Sequence, residues 1–384
     1  MGFDQKTGPI PATTEPLWQQ YRDQFPVTQN LIYLNHAAVA PLPLRSARAM
    51  QALAEDALQF GSQHYDRWLD AYEGLRVAAA RLIGANRSEI ALIKNTSEGI
   101  STIAQGLDWR PGDRIIAFRE EFPANYYPWL RLEAHRCYVE WLSVNDPLEK
   151  IEMACTGAKL LSISFVQYLS GFRTDLNAIG KICNQHNCLF FVDAIQGLGA
   201  FPLDVEAAHI DALAADGHKW LLGPEGCGIL YVRKSRQDSI FPAEFGWTNV
   251  AGYNDYASRD MALRQDAGRY ECGTLNTVGC YGLRTSIELL LEAGVERVAP
   301  AVQSLADQLA LGAVDKGYQL LGDRTPENGA GIVAIQKPGL DSRKVVHDLK
   351  QKGILAAPRQ GWIRLSPHFY ISPEDIERVI EALP

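Results

Sequence analysis

Short, nearly continuous apolar runs separated by helical or loop segments constrain the fold of this chain most strongly. The runs are "EIALIK", "RIIAF", "KLLSISFV", "CLFFVDA" and "GCGILYV". Continuous apolar runs of this length are typical of strands that are buried on both faces, as in a largely parallel sheet covered by helices. The pattern therefore predicts an α/β protein.

Helical signals flank these runs and continue to the end of the chain. "LRSARAMQALAEDALQF" and "LDAYEGLRVAAARLIG" carry apolar residues at helical spacing, and the second stops at Gly84. A polar stretch between Ser235 and Gly273 breaks the pattern, and such a long irregular segment is more often functional than idle. After it we predict a smaller α+β unit, whose last helix begins with Ser372 as cap and Pro373 at its first position.

Composition narrows the classes of partner and compartment. The net charge of -8 disfavours nucleic acid as a partner, because binding phosphates needs a basic surface. No apolar run reaches the length of a membrane span, and the first residues lack the pattern of a signal peptide, so we expect a cytoplasmic protein. The seven cysteines include no C-x-x-C pair, which predicts free, buried thiols and no metal site.

Three features point to one cofactor. "AADGHKWLLGPEGCG" places Lys219 in a stretch with few charges, and "CLFFVDAIQG" ends a predicted buried strand on Asp193. "LIKNTSEGI" runs from a strand through Thr96 and Ser97 into a helix, whose free N–H groups suit a phosphate, although helix capping explains these residues as well. Pyridoxal 5'-phosphate requires such a set: the lysine forms a Schiff base with its aldehyde, and the carboxylate holds a proton on the pyridine nitrogen.

The order of six motifs identifies a family. "NTSEG", "EEFPANYYPW", "FFVDAIQG", "DGHKWLLGPEGCGILYVR", "YECGTLNTVG" and "IRLSP" together resemble the class V aminotransferase family of fold-type I pyridoxal-phosphate enzymes. This group contains cysteine desulfurases, isopenicillin N epimerase and kynureninase. The resemblance implies a large cofactor-binding domain over residues 31–255 with a mostly parallel seven-stranded sheet flanked by helices. It also implies a smaller α+β C-terminal domain over residues 256–384, with residues 1–30 packing against that small domain.

The same resemblance assigns roles around the cofactor. Lys219 resembles the Schiff-base lysine, Asp193 the partner of the pyridine nitrogen and Gln196 the residue that hydrogen-bonds the phenolic oxygen. Phe122 stands where the family stacks a ring on the pyridine, or it is an ordinary core residue. The phosphate ligands that the resemblance implies are Thr96, Ser97 and His218.

Further residues are implied at the substrate and at a second subunit. Thr274 and Asn276, in "ECGTLN", resemble the segment that reaches the phosphate of the neighbouring subunit, which implies a homodimer. Trp247 assists there or is a packing residue. Arg364, in "IRLSP", resembles the arginine that binds the α-carboxylate of the substrate in a bidentate pair. The remaining pair, Asn35 and His36, lines the substrate entrance or belongs to a turn at the start of a helix.

Departures from the family pattern bear on the reaction. Persulfide-forming desulfurases carry a cysteine shortly before the carboxylate-binding arginine, whereas "KGILAAPRQGWIRLSP" has none and the last cysteine is Cys280. Asp216 stands where desulfurases commonly have a serine phosphate ligand. A carboxylate there repels the phosphate, so we expect Asp216 to point elsewhere or to bond a backbone group.

These observations predict an enzyme that acts on a small amino acid through a Lys219 Schiff base and α-proton abstraction, with lyase or epimerase-like chemistry. True transamination and a kynureninase-like hydrolysis, the latter suggested by "EEFPAN", stay open as alternatives. A non-catalytic pyridoxal-phosphate-binding protein would be expected to lack the lysine at position 219 or the arginine at position 364, and this chain has both. A nucleotide-binding dehydrogenase is disfavoured because no G-x-G-x-x-G follows the first strand.

Overall fold

The strands of the protein form one large and two small sheets. A computed structural model describes residues 15–384. The strands are β1 (Ile32–Tyr33), β2 (Ile90–Ile93), β3 (Arg114–Phe118), β4 (Tyr138–Leu142), β5 (Leu160–Ser164), β6 (Leu189–Asp193), β7 (Ala212–Asp216), β8 (Gly228–Val232), β9 (Gln319–Leu320), β10 (Val333–Gln336), β11 (Ile354–Leu355), β12 (Ala357–Arg359) and β13 (Trp362–Leu365).

Helices surround these sheets. They are α1 (Leu17–Tyr21), α2 (Leu44–Phe60), α3 (Tyr65–Ile83), α4 (Thr96–Gly106), α5 (Tyr127–Leu130), α6 (Leu148–Cys155), α7 (Leu176–Gln185), α8 (Thr277–Ala293), α9 (Val295–Asp315), α10 (Ser342–Gln351) and α11 (Pro373–Ala382). The predicted end of α3 is confirmed, since Gly84 follows it with a left-handed φ of 69°. Within residues 15–384, no helix has the length and apolar character needed to cross a membrane.

The large sheet has seven strands in the order β2-β8-β7-β6-β5-β3-β4. Its pairs are parallel from β7 through to β4, and only β8 runs antiparallel to both of its neighbours. Successive residues of β6 show why the strand is apolar throughout, since Phe190 and Phe191 are both fully buried and pack into clusters on opposite faces. The predicted α/β fold with a mostly parallel, helix-flanked sheet is confirmed.

The C-terminal part of the chain forms a second sheet. Its four antiparallel strands follow the order β12-β13-β10-β9, and α9, α10 and α11 accompany them in sequence. The predicted start of the last helix is confirmed, because the Ser372 Oγ accepts a hydrogen bond of 3.1 Å from the Asp375 N–H and Pro373 is the first helical residue. This arrangement is the small α+β unit that the sequence predicts.

The N-terminal segment contacts the C-terminal part where it can be followed. Residues 1–14 of the predicted segment 1–30 lie outside the described residues. Phe25 stacks on Tyr370 with ring centroids 3.6 Å apart, and β1 pairs in parallel with β11. The domain limits at residues 30 and 255 stay predictions, since α8 packs against α2 and α3 of the large domain.

Candidate active site

A cavity of about 420 Å³ opens where β5, β6 and β7 end. Its volume lies within the roughly 300–1,000 Å³ typical of small-molecule sites. The carboxyl ends of parallel strands are the usual place for a ligand in an open α/β sheet. The chemically active side chains on its wall are Asn95, Thr96, Ser97, Phe122, Tyr168, Asp193, Gln196, Asp216, His218, Lys219, Arg359 and Arg364. A neighbouring cavity of about 490 Å³ shares Tyr168 but contains neither Lys219 nor Asp193.

Lys219 lies in the connection between β7 and β8, with its amine facing this cavity. Burial lowers the pKa of the Lys219 amine to about 8, and the positive charge of Arg364 adds to this effect while Asp193 opposes it. The Nζ atom lies 5.7 Å from the centroid of the Phe122 ring. Near pH 8 about half of this amine is therefore neutral, which is the form that attacks a carbonyl group or accepts a proton.

Asp193 is the last residue of β6 and is only 2% exposed. Its Oδ1 accepts a hydrogen bond of 3.1 Å from the Ile195 N–H. Burial raises the pKa of the Asp193 carboxyl to about 7, and the nearby charge of Glu121 raises it further, whereas Lys219 lowers it. A buried carboxylate in this position gains stability from a cationic partner.

The N-terminus of α4 faces the same cavity. Asn95 caps the helix, and its side chain accepts a hydrogen bond of 2.9 Å from the Glu98 N–H. Thr96 is buried, and its Oγ1 accepts a bond of 2.9 Å from the Asp216 N–H, while Ser97 is exposed toward the cavity. A Cβ on Gly99 would lie 2.6 Å from that of Ala214, so a glycine is needed for this helix to approach β7 so closely.

Asp216 bonds a backbone group, as the sequence predicts. Its Oδ1 accepts a hydrogen bond of 2.7 Å from the Gly217 N–H, and its Oδ2 lies 3.0 Å from Nδ1 of His218. The carboxylate is therefore occupied within its own loop. His218 lies on the cavity wall beside Lys219, near the start of α4.

Gln196 and Phe122 form further parts of the wall. The Gln196 side chain donates to the Ala37 carbonyl at 3.0 Å and accepts from the Trp220 Nε1 at 2.9 Å, which fixes the amide and leaves its second N–H free. Phe122 is 46% exposed and lines the cavity, so the alternative of an ordinary core residue is wrong. A half-exposed ring facing a cavity offers a surface for stacking a planar ligand.

Arg364 is a buried cation with unused donors. It is 2% exposed, its Nη1 donates to the Tyr168 carbonyl at 2.8 Å, and its Nε has no hydrogen-bond partner within residues 15–384. Burial lowers the pKa of the guanidinium to about 10, and the charge of Arg359 contributes to the shift. A buried, unpaired guanidinium is stabilised by an anion that accepts two hydrogen bonds, as a carboxylate does.

Among the cavity residues that sequence reasoning missed are Tyr168 and Arg359. Tyr168 follows β5, packs edge-on against Phe122 with ring centroids 5.2 Å apart, and holds Arg364 through its carbonyl oxygen. Arg359 ends β12, in the same hairpin as Arg364. The strand-end rule that indicates Asp193 also applies to the residues after β5, so it gave a signal for Tyr168.

His36 and Asn35 are not on the wall of the cavity, although the adjacent Ala37, Ala38 and Val39 are, and their place at the substrate entrance stays a prediction. His36 is fully buried, and its ring nitrogens lie 2.7 Å from the Ser366 carbonyl oxygen and 2.5 Å from the Tyr370 hydroxyl. Burial lowers the pKa of this imidazole to about 4. The N–H groups of Ala38 and Val39 donate to the Asn35 carbonyl and form a turn, and the next helix, α2, begins only at Leu44.

Thr274 and Asn276 also lie outside this cavity. Thr274 is exposed and belongs to the wall of a separate cavity of about 100 Å³. The Asn276 side chain caps α8 by accepting from the Gly279 N–H at 3.0 Å, and it donates to the Gly226 carbonyl at 3.0 Å. Within one chain, neither residue reaches Lys219's cavity.

The cysteines are free, and six of the seven are buried. None belongs to the wall of the cavity at Lys219 among the described residues. The sulfur atoms of Cys155, Cys183 and Cys188 lie within 4.8 Å of one another, a contact that their spacing in the sequence did not reveal. The expectation of no metal site stays a prediction.

A helix-flanked, mostly parallel sheet whose strand ends bring a buried lysine, a buried carboxylate and a helix N-terminus to one cavity is expected of a fold-type I pyridoxal-phosphate enzyme. Residues 32–379 match the aminotransferase class-V family. The chain belongs to this family, and its cofactor is pyridoxal 5'-phosphate.

Related proteins align with nearly the whole length of this chain. An uncharacterized aminotransferase of Bacillus subtilis, YcbU, is 30% identical over 96% of this chain and 98% of its own length. A probable cysteine desulfurase of Methanothermobacter thermautotrophicus is 28% identical over 95% of this chain and 97% of its own. The apo structure of a cysteine desulfurase from Thermococcus onnurineus superposes with a TM-score of 0.88 at 26% identity, covering 96% of this chain and 98% of that one.

The side chains on the wall of the cavity have the chemical groups that the cofactor needs. Asp193 is a buried carboxylate, and among the described residues it has no ion pair within 4.0 Å, so a protonated pyridine nitrogen suits it. The exposed face of Phe122 suits the planar ring, and the N-terminus of α4 with the Ser97 hydroxyl suits the phosphate. The partly neutral amine of Lys219 suits the aldehyde.

Proposed function

We propose that the protein removes the α-proton from a small amino acid that has a free α-carboxylate, and then eliminates a β-substituent or returns the proton on the other face. The observation that carries this proposal is the shared cavity of Lys219, with its lowered pKa, and Arg364, a buried cation with unused donors. One residue is suited to accept a proton and the other to fix the carboxylate next to the α-carbon.

In this proposal the chain would hold the cofactor at five points. Lys219 holds the aldehyde carbon, Asp193 the pyridine nitrogen and Gln196 the phenolic oxygen, while Phe122 stacks on the ring. The phosphate is held by Thr96, Ser97 and His218 at the start of α4. When bound, pyridoxal 5'-phosphate supplies an aldehyde that condenses with amines and a ring that accepts the electron pair left at the α-carbon.

Lys219 carries the proton in this proposal because burial lowers the pKa of its amine to about 8, so that part of it is neutral. Phe122 lines the cavity and has no titratable group. The Tyr168 hydroxyl accepts a hydrogen bond of 2.8 Å from Gln360, which fixes it at the hairpin. Arg364 keeps its charge at neutral pH and therefore binds the α-carboxylate without exchanging protons with it.

Persulfide transfer is disfavoured by the sulfur content of the site. The connection between β12 and β13 consists of Gln360 and Gly361, and no cysteine follows Cys280 in the chain. A thiol that is to receive sulfur from a substrate must reach the cavity. The names of the desulfurase relatives therefore do not carry over to this chain as a sulfur-transfer activity, and transamination or kynureninase-like hydrolysis remain the competing outcomes of the test.

We also propose that two copies form a homodimer, with the Thr274 segment of one reaching the phosphate site of the other. Thr274 is exposed in the single chain. Large apolar side chains of the irregular segment before it are exposed as well: Phe241, Phe245, Trp247, Tyr256 and Met261. A contiguous segment with this many exposed apolar side chains is typical of an interface. Trp247 belongs to this surface, where it lies near Tyr253 and Tyr256.

The reaction is tested by adding single amino acids to the holoenzyme while its visible absorption and products are recorded. We expect release of keto acid and ammonia, or loss of optical purity of the amino acid. Amino acid amides, which lack the α-carboxylate, should bind about 10- to 100-fold more weakly because Arg364 then lacks its partner. A lasting pyridoxamine 5'-phosphate spectrum would instead establish transamination. No spectral change and no product with any amino acid would contradict the proposal.

The pH dependence of cofactor attachment tests the state of Lys219. Below the lowered pKa of about 8 the amine is protonated and has no free electron pair, so the rate of attachment should rise with pH and level off above that value. The measurement is the growth of visible absorption after the apoprotein is mixed with pyridoxal 5'-phosphate at a series of pH values. A lysine with its ordinary pKa would give a midpoint at about pH 10.4, and that result would contradict the buried environment of Lys219.

A further inference from the structure

The hairpin that carries Arg364 presents a second arginine on the same face. Arg359 pairs with Trp362 across the hairpin, and Arg364 pairs with Ala357. Because side chains of paired residues share a face, and residues two apart on a strand share it too, Arg359 and Arg364 are diagonal neighbours. Diagonal positions on an antiparallel pair are separated by about 7–8 Å.

The position of Arg359 is fixed by a short turn. Gln360 and Gly361 form the connection, with positive φ values of 50° and 87°, as expected for a two-residue hairpin turn. The Gln360 side chain donates to the Tyr168 hydroxyl at 2.8 Å, which ties the tip of the hairpin to the large domain beside the cavity. Arg359 is thus held at the cavity wall by the backbone of the hairpin.

Arg359 is exposed and has no acidic partner among the described residues. Its Nη1 donates to the Pro358 carbonyl at 2.9 Å, and across residues 15–384 no carboxylate lies within 4.0 Å of its guanidinium. Its positive charge acts on both Lys219 and Arg364, which places it near the two groups that are expected to handle the substrate. In the proposed function the α-carboxylate pairs with Arg364, which leaves Arg359 without an anion.

The cofactor phosphate does not account for Arg359. The proposed phosphate site is at the start of α4, where Thr96 contacts Asp216 at the end of β7. The hairpin tip contacts Tyr168, which follows β5, and β6 lies between β5 and β7 in the sheet. Neighbouring strands are about 4.8 Å apart, so the two sites are separated by about 10 Å at the sheet.

We propose that Arg359 binds a second anionic group on the substrate, which makes the preferred substrate a short amino acid with an acidic side chain: a carboxylate, sulfinate or sulfonate. This inference rests on the proposed function, in which Arg364 takes the α-carboxylate. Two guanidinium groups on one face, at a spacing of a few carbon atoms, match two anionic groups at the ends of such a molecule.

The test compares two unreactive acids on the holoenzyme, succinate with two carboxylates and butyrate with one. Binding is measured by isothermal titration calorimetry in the normal protein, in Arg359→Gln, and in Arg343→Gln as a control with the same chemical change at an exposed position of α10. We expect Arg359→Gln to weaken succinate binding by about 10- to 100-fold while butyrate changes less than about twofold, because one charged pair is lost. Arg343→Gln should change neither.

Three results would overturn the inference. Equal weakening of succinate and butyrate would mean that Arg359 only supports Arg364. Weaker retention of pyridoxal 5'-phosphate in Arg359→Gln, with unchanged succinate binding, would assign Arg359 to the phosphate. No preference for succinate in the normal protein would remove the second anion site. Failure of the proposed function is recognised separately, since calorimetry reports acid binding even when no amino acid reacts.

Discussion

Replacing Lys219 with alanine is expected to lower the turnover of any amino acid by about 10⁴-fold or more, the scale seen when a catalytic nucleophile is deleted. The substitution removes the only lysine on the cavity wall among the described residues, and with it both the covalent link to the cofactor and the proposed base. Because the covalent link to the cofactor is lost, the visible absorption spectrum of the holoenzyme should change as well. Borohydride treatment followed by peptide mass spectrometry should find the cofactor on Lys219 in the normal protein and on no lysine in the variant.

The fold should survive this substitution, which makes the result interpretable. Burial disfavours the charged form of the Lys219 amine, as its lowered pKa of about 8 shows, so its removal leaves no unpaired buried charge behind. The control is Lys150→Ala. Lys150 is an exposed lysine on α6 that pairs with Asp146, and its variant should keep full turnover and the absorption band. Retained turnover or cofactor attachment in Lys219→Ala would contradict the assignment of this residue.

The fold was most predictable where local signals and burial agree. The apolar runs predicted β2, β3, β5, β6 and β8 because these strands are buried in the sheet. Two strands of the large sheet gave no such signal. β7 reads "ALAAD" and contains no β-branched residue, and β4 is an edge strand whose Glu140 and Trp141 are partly exposed. Both form because the neighbouring strands supply their hydrogen bonds.

The candidate site was predictable where its residues lie close to a strand end or a helix start. Lys219, Asp193, Thr96 and Ser97 meet in one cavity as expected. Arg359 was missed because only the register of the hairpin reveals that it shares a face with Arg364. The burial of His36 was not predictable because it depends on Ser366 and Tyr370, more than three hundred residues away in the chain.

Asp193→Asn is expected to reduce kcat/KM by about 10²- to 10³-fold, the range for removing one preorganised charged group from a reacting centre. The asparagine has the same size, and its Oδ1 can still accept the hydrogen bond from the Ile195 N–H, so the loop after β6 should keep its shape. The loss arises because an amide cannot hold a proton on the pyridine nitrogen as a carboxylate does. The measurement is steady-state kinetics with the substrate found in the amino acid screen.

The pH dependence of cofactor affinity separates this charge effect from a change of shape. Burial and Glu121 raise the pKa of the Asp193 carboxyl to about 7, so in the apoprotein it becomes protonated as the pH falls below that value. A cationic pyridine then loses its partner, so in the normal protein the affinity for pyridoxal 5'-phosphate should decrease as the pH is lowered below about 7. In Asp193→Asn this dependence should be absent. In Glu121→Gln the midpoint should move to lower pH, because the charge that raises the Asp193 pKa is gone. An unchanged profile in Asp193→Asn would show that another group controls the affinity.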